Sequence, residues 1–135
     1  MTKEDLINII RLNDRIESKL RQKEELKSTM YSIGSIDYSK DRVQTSLVNS
    51  TEDLIIKIVD FEEEITKSID RLIDLKQEAS KVIDQIDGAY GTVLEMRYLE
   101  CMRWEEIAYR LNYSIQHVYR LHGQALLKLK DESKC

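Results

Sequence analysis

The sequence predicts an all-α protein, and three observations support this fold class. The 135 residues include no Pro and only four Gly, the two residues that most often interrupt helices. Charged residues make up 34% of the chain and aromatic residues 7%, a balance that favours long solvated helices over a sheet. Apolar residues recur at intervals of three and four along the N-terminal half. We therefore expect a long antiparallel helical hairpin followed by a smaller helical domain.

Two long helices account for the N-terminal half. The first is predicted from about Lys3 to Met30 and the second from about Thr51 to Ile86. Thr51 offers a capping hydroxyl, and the acids at 52 and 53 suit a helix N-terminus. Neither helix would be stable alone in water, so the simplest arrangement is an antiparallel hairpin, closed on itself or on a second copy.

The second helix carries a heptad seam. Its members recur at every seventh residue: Ile58, Ile65, Leu72, Ala79 and Ile86. Phe61, Leu75 and Val82 fall on the complementary positions. Further apolar residues lie on more sides than one partner helix can cover, namely Ile55, Val59, Ile69 and Ile83. This excess predicts a homodimer.

Small polar residues separate the two helices and predict a loop from Ile33 to Ser50. Lys40 and Arg42 could meet phosphate there, although a capped connector is the commoner use of such a segment. Asp87 and Gly88 mark a joint. We therefore predict two domains, a helical extension over residues 1–87 and a second domain over residues 88–135.

The C-terminal half contains a predicted helix, tight turn and second helix between residues 104 and 121. Apolar residues at Ile107, Leu111, Val118 and Leu121 have the spacing of two crossed helices, and Ala108 is small enough for close approach. Asn112 suits a left-handed turn position and Ser114 is a good N-cap. A plain helical hairpin would need only the apolar spacing, so the combination favours a DNA-binding helix-turn-helix.

Residues 90–130 resemble the promoter-reading C-terminal domain of bacterial sigma factors. The shared features are a preceding helix over Gly91 to Leu99, the Glu105-Glu106-Ile107-Ala108 helix, and the tail Ala125 to Leu129. The complete chain is similar to small sigma-like transcriptional regulators of phages and prophages, of the autolysin-regulator (ArpU) type, on the segment Asp37 to Ser46. The resemblance implies a phage regulator of late or autolysin-type genes that works on or with the host RNA polymerase.

The predicted recognition helix runs from Ser114 to about Lys130. Val118, Leu121, Ala125 and Leu129 should face inward. The candidates for contact with double-stranded DNA point outward, and they are Gln116, His117, Tyr119, Arg120 and Gln124. Gln116 can pair with adenine, and Arg120 with guanine or phosphate. Arg103, Arg110 and Lys128 are candidate phosphate contacts.

The distribution of charge bears on the partners. Residues 1–87 carry 14 Lys or Arg against 19 Asp or Glu, and residues 88–135 carry 7 against 6. A DNA-binding half with a net charge of +1 should bind DNA weakly on its own. Dimerisation or RNA polymerase would then supply the missing affinity. The alternative is a protein-binding module that docks RNA polymerase or another regulator through its helices without reading DNA.

Other function classes find little support in the sequence. There is no Gly-rich phosphate loop and no nucleophile elbow, so we expect no enzyme, no catalytic residues and no cofactor. His117 and His122 are five residues apart and make a poor metal pair, even with Cys101. The cysteines read as free thiols, and no apolar run approaches the roughly 20 residues of a membrane span or forms a signal peptide. We expect a cytoplasmic protein.

Overall fold

The protein is helical, as its sequence predicts. The computed structural model describes the backbone of residues 1–34 and 41–132 and the side chains of residues 1–32 and 51–130, and these residues form no strand. The helices are α1 (Lys3–Gly34), α2 (Asp41–Ile83), α3 (Gly88–Leu94), a π-helix (Glu95–Leu99), α4 (Trp104–Leu111) and α5 (Ile115–Glu132). Within these residues, none of the helices has both the length and the apolar character that crossing a membrane requires.

The C-terminal end of α1 and the N-terminal end of α2 both extend beyond their predicted bounds. Helix α1 continues to Gly34, and α2 begins at Asp41 rather than at Thr51. The predicted loop over 33–50 is therefore wrong for residues 33–34 and 41–50, while residues 35–40 lie outside the described residues. Ser, Thr and Asn each lower helix propensity by only about 0.5 kcal/mol. With no Gly or Pro among residues 41–50, that cost does not stop the helix.

The start of α1 is held by a reciprocal cap. The Thr2 backbone N–H donates to Asp5 Oδ2 at 2.8 Å, and the Asp5 backbone N–H donates to Thr2 Oγ1 at 3.4 Å. This is the capping-box arrangement, with Asp in the place that Glu usually takes. The hydrogen bonds from Thr2 hold the pKa of the Asp5 carboxyl below its usual value.

Two compact units make up the chain. One consists of Met1–Asn13 with Arg71–Cys135, and the other of Asp14–Asp70. The two-domain division at residues 87 and 88 stays a prediction. Near the predicted joint, α2 ends at Ile83 and Gly88 has a φ of +69°.

In the Asp14–Asp70 unit, charged and aromatic contacts join α1 to α2. Lys19 Nζ lies 2.7 Å from Glu64 Oε2 and 5.4 Å from the centre of the Phe61 ring, and Lys23 Nζ lies 3.7 Å from Glu62 Oε1. As the residue number increases along α1, the residue number of its ion-pair partner on α2 decreases. This is the order expected for antiparallel helices. The hairpin over the whole of both helices stays a prediction.

Burial of the heptad seam is confirmed. The exposed fractions of Ile58, Ile65, Leu72, Ala79 and Ile86 are 8, 6, 8, 0 and 7%. The heptad pattern predicts Ile86 to be the last helical position of the seam. It lies instead beyond the end of α2, in the turn before α3. Of the four additional apolar residues, Ile83 is buried at 2%, whereas Ile55, Val59 and Ile69 are 39–46% exposed.

Candidate nucleic-acid interface

The turn between α4 and α5 is closed by Asn112. Its backbone is left-handed, with φ 61° and ψ 39°, as the sequence predicts. The Asn112 N–H donates to the Tyr109 carbonyl at 3.2 Å, and the Tyr113 N–H donates to the Ala108 carbonyl at 3.0 Å. These two bonds satisfy carbonyl groups at the end of α4 and reverse the chain within a few residues.

Helix α5 begins with the predicted Ser114 cap. The Ser114 hydroxyl accepts a hydrogen bond from the His117 backbone N–H at 3.1 Å, and the Ser114 carbonyl accepts one from Val118 at 3.1 Å. The cap fixes where α5 starts, and therefore which side chains point outward. Arg103 stands at the corresponding position of α4 and makes no side-chain cap.

A small apolar core holds α4 and α5 together. Its buried members are Val93, Ile107, Ala108, Val118 and Leu121, with exposed fractions of 0–8%. Ala125 and Leu129 continue the same face of α5 at 0 and 2%. The four residues predicted to face inward on α5 are therefore all buried. The small residue at 108 also lies in this core, as expected for a close approach of two helices.

The candidate DNA contacts differ in placement. Three of them are exposed and spaced by four residues, which places them on one side of α5, and we call Gln116, Arg120 and Gln124 the outer face. His117 is half-buried, with its ring centre 4.7 Å from that of Tyr113. Tyr119 is 48% exposed and its ring centre is 5.3 Å from that of Trp104. His117 and Tyr119 are thus also parts of the packing.

The three candidate phosphate contacts are exposed and already have protein partners. Arg103 Nε lies 4.0 Å from Glu106, Arg110 lies 3.8 Å from Glu100, and Lys128 Nζ lies 4.9 Å from the centre of the Tyr90 ring. Exposed pairs of this kind contribute roughly 0.2–1 kcal/mol each. They are weak enough to be exchanged for contacts with a phosphate group.

A second set of side chains supports this region, and the sequence gives no signal for the contacts that join them. Tyr98 is 3% exposed, and its hydroxyl lies 2.7 Å from Nε2 of the half-buried His122. The His122 and Trp104 ring centres are 4.6 Å apart. Arg97 places its guanidinium 4.5 Å from the centre of the Trp104 ring and donates to the Met102 carbonyl at 2.9 Å. We call Arg97, Tyr98, Trp104 and His122 the aromatic support.

Protonation within the aromatic support follows from burial. Burial lowers the pKa of His122 to about 4, with smaller contributions from the positive charges of Lys3 and Arg97. Burial also raises the pKa of the Tyr98 hydroxyl. Both groups are therefore neutral near pH 7. His122 therefore packs against Tyr98 and Trp104. Its spacing from His117, considered above for a metal pair, is unrelated to this packing.

The helix before α4 departs from the regular helix predicted over Gly91 to Leu99. It becomes a π-helix at Glu95–Leu99, and the Glu100 N–H donates to the Glu95 carbonyl at 3.0 Å. The Met102 N–H then donates to the Met96 carbonyl at 3.0 Å, and Cys101 has a φ of 55°. Arg97 and Tyr98 lie in this wider turn and contact Trp104 and His122. Such π-helical turns occur often at functional sites.

No metal cluster is found in the part of the chain that the structure describes: it has no group of three or more His, Cys, Asp or Glu side chains able to hold an ion. The Cys101 thiol lies 3.7 Å from the Tyr98 carbonyl and forms no disulfide.

Comparison with known proteins gives one match. No curated protein and no solved structure matches the chain. A family model described as "Protein of unknown function (DUF1492)" matches residues 32–130. This span includes all of α2, α3, α4 and the aromatic support, and α5 as far as Lys130. Because the match covers well over half of the 135 residues, the chain belongs to the DUF1492 family.

Proposed function

We propose that this protein is a DNA-binding transcription regulator that inserts α5 into the major groove. The observation that carries the proposal is the turn at Asn112 with the cap at Ser114, which together present one polar face of α5 away from the core. A helix that reads DNA must be held rigidly while one side stays free for base edges. The resemblance of residues 90–130 to the promoter-reading domain of sigma factors points to the same use.

The outer face has the chemistry that base reading requires. A Gln side chain can donate to and accept from adenine, and an Arg side chain can donate twice to guanine. Gln116, Arg120 and Gln124 are all exposed and succeed one another by one turn. His117 and Tyr119 flank this face and could contact the sugar-phosphate backbone or a base, although each is held by a neighbouring ring.

Affinity would come partly from a partner. The sequence from residue 88 onward has a net charge of only +1, and the exposed acids Glu105 and Glu106 lie in the first turn of α4. Neutralising phosphates with few cations gives weak binding. RNA polymerase or a second copy of the chain would raise affinity by tethering the reading helix near DNA. This role places the protein in the cytoplasm, in keeping with a phage-type regulator.

Selection of genomic fragments tests the proposal. Full-length protein is incubated at low salt with sheared DNA from its source genome, and the bound fragments are sequenced. Fluorescence anisotropy then compares the parent with Arg120→Ala on a selected duplex. We expect Arg120→Ala to weaken specific binding by about 1–3 kcal/mol if it reads a base, and to act evenly on all sequences if it contacts phosphate.

Lys57→Ala is the matched control, because Lys57 is an exposed cation of α2 in the other compact unit. It removes the same charge and should leave DNA affinity unchanged. The logarithm of affinity should fall with the logarithm of salt concentration, with a slope near −0.9 for each phosphate contacted. Absence of enriched fragments, or equal effects of the two substitutions, would contradict the proposal.

The second candidate function is a protein-binding module that docks RNA polymerase without reading DNA. Exposed apolar residues on α2 and the 66% exposed Leu127 on α5 favour it. Capture of polymerase by immobilised protein, with Arg120→Ala as effective as the parent and no enriched DNA, would support this module over the DNA-binding regulator.

A further inference from the structure

Helix α2 carries a second regular row of side chains outside the heptad seam. The row consists of Ile55, Val59, Glu62, Thr66 and Ile69, which we call the outer ridge. Successive members are separated by four, three, four and three residues, the alternation of the core positions in a coiled coil. The apolar members are not covered, since Ile55, Val59 and Ile69 are 46, 46 and 39% exposed.

Helix α1 reaches this row at Glu62, through the Lys23 ion pair, and leaves the three apolar members of the row exposed. Its contacts with α2 are to Phe61, Glu62 and Glu64, beside the buried seam residues Ile58 and Ile65. At about 100° per residue, the outer ridge lies roughly a quarter turn from that seam. Two rows of apolar positions about a quarter turn apart, one of them here interrupted by Glu62 and Thr66, are typical of a helix in a four-helix bundle, where each helix packs against two neighbours.

We propose that the outer ridge packs against the outer ridge of a second copy of this chain, with the two α2 helices antiparallel. The two-fold axis would cross the pair at the level of residue 64 along each helix. The order of side-chain types sets this register. Val59 of each copy would lie opposite Ile69 of the other, and Glu62 opposite Thr66. A two-fold interface must be complementary to itself, and the four positions from Val59 to Ile69 read apolar, polar, polar, apolar from either end.

The polar centre distinguishes the antiparallel arrangement from the parallel one. In parallel, in-register helices, the two Glu62 carboxylates would face each other across the interface, which is unfavourable at neutral pH. In the antiparallel register each Glu62 meets a Thr66 hydroxyl. That hydroxyl now donates to the Glu62 carbonyl of its own helix at 2.9 Å, and donation to a carboxylate is the stronger bond. Lys23 remains beside Glu62 and offsets part of its charge.

A second copy fits the row better than an unrelated helix, because the antiparallel register places apolar residues opposite apolar ones and polar residues opposite polar ones. No partner of different sequence is needed for this match. Scattered exposed apolar residues need no explanation, but three of them in heptad spacing do. The Glu63 side chains of the two copies would approach near the axis, so we expect added salt to strengthen association by screening them.

Mass measurement tests the surface. Light scattering of the full chain over micromolar concentrations should give twice 15.9 kDa, falling towards 15.9 kDa on dilution. Val59→Asp should shift the protein to monomer, with the helical circular dichroism signal unchanged, since Val59 is exposed. Ile56→Asp is the matched control: Ile56 is 59% exposed and lies off the outer ridge, so it should leave the mass unchanged.

Crosslinking tests the register. Val59→Cys and Ile69→Cys are made separately in a background in which both native cysteines are replaced by Ser. Neither variant should crosslink alone on oxidation, whereas an equal mixture should give a crosslinked dimer, because only the mixed pair brings two thiols within disulfide distance. The same Cys101→Ser, Cys135→Ser background without a new cysteine controls for other crosslinks.

Three results would overturn the proposal: a parent that stays at 15.9 kDa at the highest concentration, a Val59→Asp variant as dimeric as the parent, or crosslinking of Val59→Cys alone. Capture of another protein by a monomeric parent through the outer ridge would also overturn it. The outcome is separable from DNA binding, because Arg120→Ala should weaken DNA binding without changing the mass.

Discussion

The Tyr98 hydroxyl and His122 Nε2 lie 2.7 Å apart and join the π-helix to α5. Both groups are neutral near pH 7, because burial lowers the pKa of His122 to about 4 and raises that of Tyr98. The bond therefore fixes the rotation of α5 without placing a charge in the core. Protonation of His122 would place a positive charge in this half-buried region, near the positive charge of Arg97.

Stability should fall as the pH is lowered from about 6.5 to about 4. In the unfolded chain His122 takes up a proton near its ordinary pKa of 6.5, whereas in the folded protein it does so near 4. The unfolded state therefore binds more protons between these values, and stability present above pH 6.5 is lost as the pH falls through the window. Because His122 is only half-buried, we expect a loss of about 1–2 kcal/mol, below the full value of the shift.

Urea unfolding at pH 4.5 and pH 7.5 measures this loss. His122→Gln keeps a hydrogen-bonding group but does not titrate, and acid groups common to both proteins affect them equally. The difference in unfolding free energy between the two pH values should be smaller in the variant by about 1–2 kcal/mol. Equal differences in parent and variant would show that His122 titrates alike in the folded and unfolded chains.

Gly91 should not tolerate a side chain. A Cβ at this position would overlap the Ile86 backbone carbonyl, and a backbone atom cannot move aside as the end of a flexible side chain can. We expect Gly91→Ala to lower the free energy of unfolding by about 3 kcal/mol. Gly123→Ala is the matched control, because no atom lies within 4 Å of its Cβ and it should stabilise α5 by about 0.5–1 kcal/mol. A neutral Gly91→Ala would mean that α3 does not approach Ile86 this closely.

The conformation of Asn112 gives a third prediction. Its φ of 61° is costly for residues with a Cβ unless the side chain is Asn or Asp, and it is free of cost for Gly. Asn112→Ala should therefore destabilise the protein by about 1 kcal/mol, while Asn112→Gly should leave it within a few tenths of the parent. Chemical unfolding at fixed protein concentration measures both. If Ala and Gly behave alike, the turn does not require a left-handed residue.

The sequence predicted the local chemistry of the α4–α5 turn well. Asn112, Ser114 and the inward residues of α5 each follow from a requirement that acts over a few residues, and each is present as expected. The heptad seam was also predictable, since burial at every seventh position follows from helix geometry alone.

The remaining features depend on contacts that sequence spacing does not encode. The Tyr98–His122 bond joins residues 24 apart, and no local pattern signals the π-helix that contains Tyr98. The need for Gly at 91 arises from the approach of the Ile86 carbonyl. Helix α2 begins at Asp41, before the predicted start at Thr51, because the small polar residues between these positions lower helix propensity too little to stop a helix.

Leu72 should be a strong contributor to stability. It is 8% exposed at the middle of the heptad seam, so Leu72→Ala removes buried methyl groups and leaves a cavity. We expect the free energy of unfolding to fall by about 2–5 kcal/mol. Leu127→Ala is the control, because Leu127 is 66% exposed in the same compact unit and its truncation should change stability by less than about 0.5 kcal/mol.

Both variants are compared with the parent by urea unfolding at one protein concentration, so that association affects all three equally. The slope of unfolding free energy against urea should be similar, and the midpoint should fall only for Leu72→Ala. A Leu72→Ala protein as stable as Leu127→Ala would place the Leu72 side chain in water. The heptad seam would then not be the packed face of α2, and the outer ridge would lose its distinction from it.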